Sequence, residues 1–302
     1  MEIAAGLVAA LERRELPERY SYWFPTSVRA WLDLCSDGAY RNYVRSSRLV
    51  EAHAEDVADR ALGRAGEARV DVVSLGAGQA DKDLEFLRAL RSKGVSPVYR
   101  PVDASQSLLE LACTAASDFA CEAIKADFSL PAHLDAIDAM REGPPALWLL
   151  LGNTLGAFDP GSLSAELRRV VKPRDTLVLD AEILDGATTI AGYDNPLNRR
   201  FAFAPLASLG FEPADGELSF MLREDDGCRG FFRLVKRFET ARDRRLSVAG
   251  EAFELRAGES LHMGHSGKFS RDGFDSLLRK AGFEHLTGWS SDDGRFVMSV
   301  VG

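Results

Sequence analysis

The chain has 302 residues, 46% of them hydrophobic, with 46 acidic against 37 basic side chains and a formal net charge of −9. That supplies a sizeable core, as one large domain with an appended lobe or as two modest domains, and the negative balance favours a small-molecule partner over nucleic acid. No apolar run approaches the roughly 20 residues that span a bilayer, and Cys35, Cys113, Cys121 and Cys228 show neither C-x-x-C pairing nor metal-ligand spacing, so the expected setting is a reducing cytoplasm without membrane attachment.

Residues Glu2 to Arg14 carry an amphipathic helical pattern that stops at Leu16-Pro17. Tyr20-Ser21-Tyr22-Trp23-Phe24-Pro25 is aromatic and non-periodic, which predicts a loop laid over an apolar surface, either a cap on the core or a lid over a substrate. Tyr40 and Tyr43 carry the same two alternatives. Helical patterns cover about Ser27 to Leu34 and about Val44 to Leu62, the second with apolar positions near Leu49, Val50, Ala52, Val57 and Leu62. Strands then alternate with helices. The strands are expected at 70–75, 97–102, 121–126, 146–151 and 175–182 and the helices at about 81–92, 105–117, 131–140 and 161–170, punctuated by Glu142-Gly143-Pro144-Pro145 and Lys172-Pro173-Arg174-Asp175. This rhythm predicts an α/β fold with a doubly wound, mainly parallel sheet.

After Asp185 the alternation stops. Residues 193–211 read as helical or irregular, and 217–222, 229–239, 244–248 and 251–256 read as successive strands of an antiparallel lobe, with turns at Asp225-Asp226-Gly227 and Ala249-Gly250. A helix at 271–281 and strands near 285–289 and 295–301 close the chain. The expected organisation is an N-terminal helical segment and lid over 1–62, a sheet domain over 63–190 plus 270–302, and a smaller α+β substrate-binding lobe over 191–269.

The stretch Val70-Asp71-Val72-Val73-Ser74-Leu75-Gly76-Ala77-Gly78 carries a buried strand into a Gly-x-Gly turn, where the missing Cβ atoms let the backbone approach a ligand. Asp103 closes the next strand and is placed either to accept both hydroxyls of a ribose or to cap the strand end. A third glycine in the dinucleotide spacing would fall at Asp81, so the NAD fingerprint fails. The pattern fits S-adenosylmethionine, which has a ribose and an amino-acid tail but no pyrophosphate.

Taken in order, Leu75-Gly76-Ala77-Gly78 with Lys82, Pro101-Val102-Asp103, Ala126-Asp127-Phe128, the block Leu151-Gly152-Asn153-Thr154-Leu155-Gly156-Ala157-Phe158-Asp159-Pro160, and His265-Ser266-Gly267-Lys268-Phe269-Ser270 resemble the histidine-specific N-methyltransferase family. That family includes the enzyme that trimethylates histidine in ergothioneine biosynthesis. The similarity runs from about Leu16 to the C-terminus, and the blocks from Leu151 and from Ser266 are its most specific parts. The resemblance implies a class I methyltransferase-type sheet holding S-adenosylmethionine. Gly76 and Gly78 would pass under the methionine moiety. Lys82, otherwise a solvated lysine in the first turn of the following helix, would pair with the methionine carboxylate. Asp127 would accept the adenine amino group, the Phe128 N–H would donate to the ring, and Gly152, Asn153 and Thr154 would line the floor at the carboxyl edge of the sheet.

On the substrate side the resemblance implies that Tyr22, Tyr193 and Ser266 orient the methyl acceptor, with Ala157 and Gly264 also at substrate positions. In the histidine enzymes the position of Ala157 carries an asparagine that holds the substrate carboxylate, and that of Gly264 a glutamate that pairs with the imidazole. Losing both leaves the polar groups of histidine unpaired at about 1–3 kcal/mol each. Histidine is therefore disfavoured as substrate, and a wider, more apolar cavity is expected. His265 is either a new polar contact or base or, if 261–269 is extended, points away from the face of Gly264 and Ser266. His262 and His285 read as surface or core positions, and His53 and His133 have no metal spacing, so no metal is indicated. The expected activity is in-line methyl transfer to an amine of a small metabolite. Transfer to oxygen or to another nitrogen group, and a non-catalytic cofactor-binding partner protein, are the alternatives; nothing in the sequence fixes the oligomeric state.

Overall fold

The computed structural model describes the chain except for Met1, Ala39, Glu67, Ala68, Glu142 and Ala249, together with the side chains of Glu2, Ile3, Ala4, Ala187 and Thr188. Glu142 of the expected linker and Ala249 of the expected turn thus lie outside the described residues. The backbone divides into two units: a large-sheet unit of 41–184, 225–231 and 267–302, and a small-sheet unit of 1–40, 185–224 and 232–266. Among the described residues no helix is long and apolar enough to cross a membrane.

The large-sheet unit is built on eight strands. Their order is His285–Ser290, Phe296–Val301, Thr176–Glu182, Ala146–Leu150, Asp71–Leu75, Val98–Asp103 and Ala120–Cys121, with Ile124–Lys125 also paired to Val98–Asp103. Every pairing from Thr176–Glu182 to that far edge is parallel, whereas the last two strands of the chain pair antiparallel. Asp71–Leu75, Ala146–Leu150 and Thr176–Glu182 are buried at every position, because helices cover both faces of a doubly wound sheet; that is why these segments read as unbroken apolar runs.

On one face Leu134 and Ile137 of the helix Pro131–Ala139, Leu163 and Leu167 of Pro160–Val170, and Phe274 and Leu277 of Arg271–Lys280 share a core with Trp148 and Leu150. On the other, Leu49, Val50 and Val57 of Arg41–Ala65, Phe86 and Leu87 of Asp83–Ser92, and Ala112 of Gln106–Ala115 share one with Val72, Leu147 and Leu149. Each Leu, Ile, Val or Phe side chain among them contributes about 1.5–3 kcal/mol of burial. The strand expected over 121–126 is two short ladders instead. Between them Glu122 turns outward to the Nη2 of buried Arg100, 3.0 Å away.

The small-sheet unit contains the helices Glu2–Glu12, Pro25–Ser36, Gly186–Tyr193 and Pro196–Ser208 and a 3-10 turn, Glu18–Tyr22. Its sheet orders Glu15–Leu16, residues 260–266 of Ser260–Phe269, residues 232–240 of Phe231–Thr240, and Gly216–Glu224; a separate hairpin joins Arg244–Val248 to Glu251–Leu255. Leu7, Leu11, Leu16, Phe211, Phe238, Leu261 and Met263 form the core. The aromatic stretch expected as a loop is instead the 3-10 turn followed by a helix with Pro25 in its first turn, a position where the missing N–H costs nothing. Tyr20 is 2% exposed in that core and stacks on Trp23 at 5.9 Å. Tyr20, Trp23 and Phe24 therefore act as a cap on the core.

Candidate active site

The strand Asp71–Leu75 runs into Gly76, and the N–H groups of Gly76 and Ala77 both donate to the Val102 carbonyl, at 2.8 and 3.2 Å. Gly76 and Gly78 have φ of +74° and +59°, where a side chain is strained. A Cβ on Gly78 would meet nothing within 4 Å, which leaves open space over the turn.

Asp103 ends the adjacent strand, and its carboxylate accepts the Ser105 N–H at 2.8 Å and the Gly78 N–H at 3.3 Å. The strand-end cap and the link to the Gly-x-Gly turn are thus one arrangement. Burial pushes the Asp103 carboxyl up to about 6, against the pull of the Ser105, Gly78 and Ala104 N–H groups. An ionised carboxylate has about four acceptor sites. A buried one that its backbone donors satisfy this poorly is matched by a ligand bringing two more hydroxyl donors, as a ribose does.

Lys82 is the residue that precedes the helix Asp83–Ser92, which starts two residues later than the expected 81, so Lys82 caps the helix and does not lie within its first turn. Its ammonium lies 4.7 Å from the centroid of the Tyr43 ring, and a Cβ on Gly152 would come within 3.4 Å of it. The same charge opposes burial in setting the Asp180 carboxyl, which burial raises. Lys82 is therefore turned toward the carboxyl edge of the sheet, where an anionic group can meet it. Around it Gln79 donates to the Tyr43 hydroxyl at 3.1 Å, and Tyr43 donates to Asp81.

Asp127 follows Ile124–Lys125, and its Oδ1 accepts from the Ser129 N–H at 3.1 Å and from the Ser129 hydroxyl. His133 Nδ1 lies 3.1 Å from both the backbone N and the carbonyl of Asp127, so this histidine closes the turn. The Phe128 ring is buried, packs edge-on against Phe158 at 5.2 Å, and lies under Gly76.

Gly152 and Asn153 take consecutive left-handed conformations, φ +81° and +60°. The Asn153 N–H donates to Asp180 at 2.7 Å, its side-chain amide donates to the Gly267 carbonyl at 3.0 Å, and its Oδ1 accepts the Glu182 N–H at 3.0 Å. Its side chain ties three backbone segments together. Thr154 turns its hydroxyl back to Leu151, at 2.6 Å. Ala157, half-buried, ends the 3-10 turn Thr154–Ala157.

Behind this loop Asp180 accepts the Ser46 hydroxyl, and Glu182 accepts from Asn42 at 2.5 Å and pairs with fully buried Lys268 at 2.5 Å. Sequence reasoning missed Asp180 and Glu182. The signal was present as two carboxylates spaced by two in the otherwise apolar segment 177–182.

In the small-sheet unit the Tyr193 hydroxyl and Ser266 Oγ lie 3.1 Å apart. Gly264 precedes Ser266 by two residues on one strand, on the same side of the pleat. Tyr22 is half-buried in a different cluster, edge-on to Trp31 at 5.4 Å and tilted against Phe201 at 5.5 Å. His265 Nε2 lies 2.8 Å from an Arg233 nitrogen; arginine only donates, so that ring nitrogen accepts.

The expected apolar void at Gly264 does not exist. A Cβ there would come within 2.7 Å of the Glu18 nitrogen and 2.8 Å of its Cα, and would also collide with its carboxylate. Glu18 in turn is paired with Lys236. The parallel pairing of Glu15–Leu16 with His262–Met263 carries Glu18 to this place. A two-residue strand has no periodicity, so sequence patterning offered no signal for it. Among the described residues no group of three or more His, Cys, Asp or Glu side chains is arranged to hold a metal ion.

A family described as histidine-specific, S-adenosylmethionine-dependent methyltransferases matches residues 1–209 and 230–302. The N-methyltransferase imqF of Aspergillus flavus is 24% identical over 323 residues, which covers 99% of this chain and 84% of that protein. Among solved structures, DesVI of Streptomyces venezuelae is 15% identical, with a TM-score of 0.42 over 86% of this chain and 94% of that one. CalS10 of Micromonospora echinaspora, an amino pentose methyltransferase with S-adenosylmethionine bound, is 16% identical, with a TM-score of 0.40 over 87% and 94%.

Proposed function

The chain belongs to the histidine-specific, S-adenosylmethionine-dependent methyltransferase family, and on that premise we propose that it methylates an amine of a small metabolite, an amino acid or amino-acid derivative other than histidine, in the cytoplasm. The carrying observation is the buried Asp103 carboxylate turned toward the Gly-x-Gly turn. In this reading Asp103 holds the two ribose hydroxyls, and Gly76 and Gly78 let the backbone pass close beneath the cofactor. Lys82 faces the methionine carboxylate, and Asp127 with the Phe128 N–H takes the adenine edge. Gly152, Asn153 and Thr154 shape the floor, Asn153 through the backbone it ties down.

S-adenosylmethionine supplies an electrophilic methyl whose transfer neutralises a sulfonium, so the protein is not asked for strong acid or base. Its work is to hold the acceptor nitrogen in line and exclude water. The hydroxyls of Tyr193 and Ser266, 3.1 Å apart, are suited to this because each both donates and accepts. They can receive the N–H of a neutral amine and leave its lone pair free; an ammonium must first lose a proton to water. The name of the A. flavus relative, an N-methyltransferase, supports nitrogen as the acceptor.

A mass-shift screen of amines and amino acids with the pure protein and S-adenosylmethionine tests this reading. Methylated amine products with histidine left untouched are expected. No methylated amine in the panel, or rapid trimethylation of histidine, would refute it.

A further inference from the structure

We propose that Glu18 and Lys236 form a charged subsite for the methyl acceptor, with Lys236 taking a carboxylate of the ligand and Glu18 taking an N–H-bearing nitrogen beside it. The inference rests on the methyltransferase reading and deepens it, since it narrows the acceptor to an amine that also carries a carboxylate.

The two side chains meet inside the small-sheet unit, 11% and 9% exposed. Lys236 stands on a strand where the neighbours on its side, Leu234 and Phe238, are buried and apolar. An apolar residue would therefore fit at its position. Burying an ion pair costs desolvation that mutual attraction returns only when the remaining donors and acceptors are also met, and apolar replacements are often as stable. Fold stability alone thus gives little reason for this pair.

Its valences are not met by the protein. Among the described residues Glu18 is the one hydrogen-bond partner of the Lys236 ammonium, and an ammonium has three donors against about four acceptor sites on a carboxylate. Two donors and further lone pairs remain side by side. A dianionic phosphate or a bare carboxylate would approach Lys236 against the charge of Glu18. A ligand with an anionic group next to an N–H or ammonium meets both.

The position suits the reaction. Glu18 occupies the space a Cβ on Gly264 would take, and Ser266, two residues on along the same face, places its hydroxyl 3.1 Å from Tyr193. At a rise of about 3.3 Å per residue the backbone positions 264 and 266, beside which the charged pair and the hydroxyl pair stand, are roughly 7 Å apart, the scale of a small amino acid. Gly264 is the glycine that makes room for Glu18; any side chain there would displace it.

The test is titration calorimetry on the full chain saturated with S-adenosylhomocysteine, using the proteinogenic L-amino acids other than histidine and the amine obtained from each by decarboxylation. At least one amino acid should bind, and its decarboxylated form should bind at least about tenfold more weakly, the loss expected for a charge-assisted contact. A single change would strand a buried charge, so the variant is Glu18→Gln with Lys236→Met, checked by its melting temperature. In it the preference for the carboxylate should vanish, and turnover should show a raised KM with kcat largely kept.

Equal binding of amino acids and their decarboxylated amines, no binding of any amino acid, or undiminished discrimination by the folded double variant would each overturn the proposal. The parent reading fails separately. If amines without carboxylates are methylated as well as amino acids, the subsite falls and the methyltransferase reading stands. If carboxylate-dependent binding is seen and no amine is methylated, the reverse holds.

Discussion

Asp103 should make cofactor binding depend on pH in a way that few buried aspartates would. Burial raises its carboxyl from 3.8 to about 6 in the folded protein without ligand. At pH 5 only about one-tenth of the molecules carry the carboxylate, and at pH 8 nearly all do. Only the ionised form can accept both ribose hydroxyls in charge-assisted bonds while keeping its backbone donors, so affinity for S-adenosylhomocysteine should fall by up to about tenfold between pH 8 and pH 5, with up to about half a proton released per ligand bound at pH 6. The same shift fixes the sign of a stability effect. The folded state holds this proton more tightly than the unfolded chain, so the contribution is fully present below about 3.8 and is lost as pH rises through about 6. The loss is roughly 3 kcal/mol for the ligand-free protein. Calorimetry across this range in two buffers of different ionisation heat measures both affinity and proton release. Asp103→Asn should bind roughly 2–3 kcal/mol more weakly at neutral pH and show a flat profile. A flat profile in the unaltered protein, or the same slope in both, would refute the assignment.

Gly264→Ala should lower stability by about 1–3 kcal/mol, because its Cβ would meet the Glu18 backbone, which cannot rotate away. An unchanged melting temperature would show that the Glu18 segment yields. Lys268→Met should destabilise the large-sheet unit by about 3–5 kcal/mol by stranding Glu182; adding Glu182→Gln should recover most of this in urea unfolding, and additive losses would reject the ion-pair account. Tyr193→Phe and Ser266→Ala should each lower kcat/KM for whichever amine is turned over. Their combination should cost less than the sum by about 0.5–1.5 kcal/mol, and full additivity would mean that the two hydroxyls do not act together.

The large sheet was legible because both its faces are covered. Asp71–Leu75, Ala146–Leu150 and Thr176–Glu182 show as apolar runs, and each is found within a residue of its expected limits. The Gly-x-Gly turn was legible because glycine announces its own backbone conformation. What patterning could not supply was partnership. Asn153 was expected as floor, but the backbone groups that occupy its amide lie at 182 and 267. At Gly264 the sequence shows only an emptied position, because the residue that fills it, Glu18, lies far earlier in the chain and arrives through a two-residue parallel strand. The aromatic stretch at 20–25 misled because Pro25 reads as a break, although at the first turn of a helix it is a start.

The antiparallel partner of Thr176–Glu182 is Phe296–Val301. On the ribosome every residue from 183 to 295 must be made before that partner exists, a delay of roughly ten seconds at ordinary elongation rates. Throughout it one side of a wholly apolar-flanked strand presents unpaired N–H and C=O groups, the template on which nascent chains aggregate. Asp180 and Glu182 sit on this strand, and inward-pointing charges are among the devices that discourage such pairing. The Asp180 carboxylate that takes the Asn153 N–H in the finished protein, and the Glu182 carboxylate that pairs with Lys268, thus have a second physical consequence: they make this strand a poorer template while it is still open to strangers.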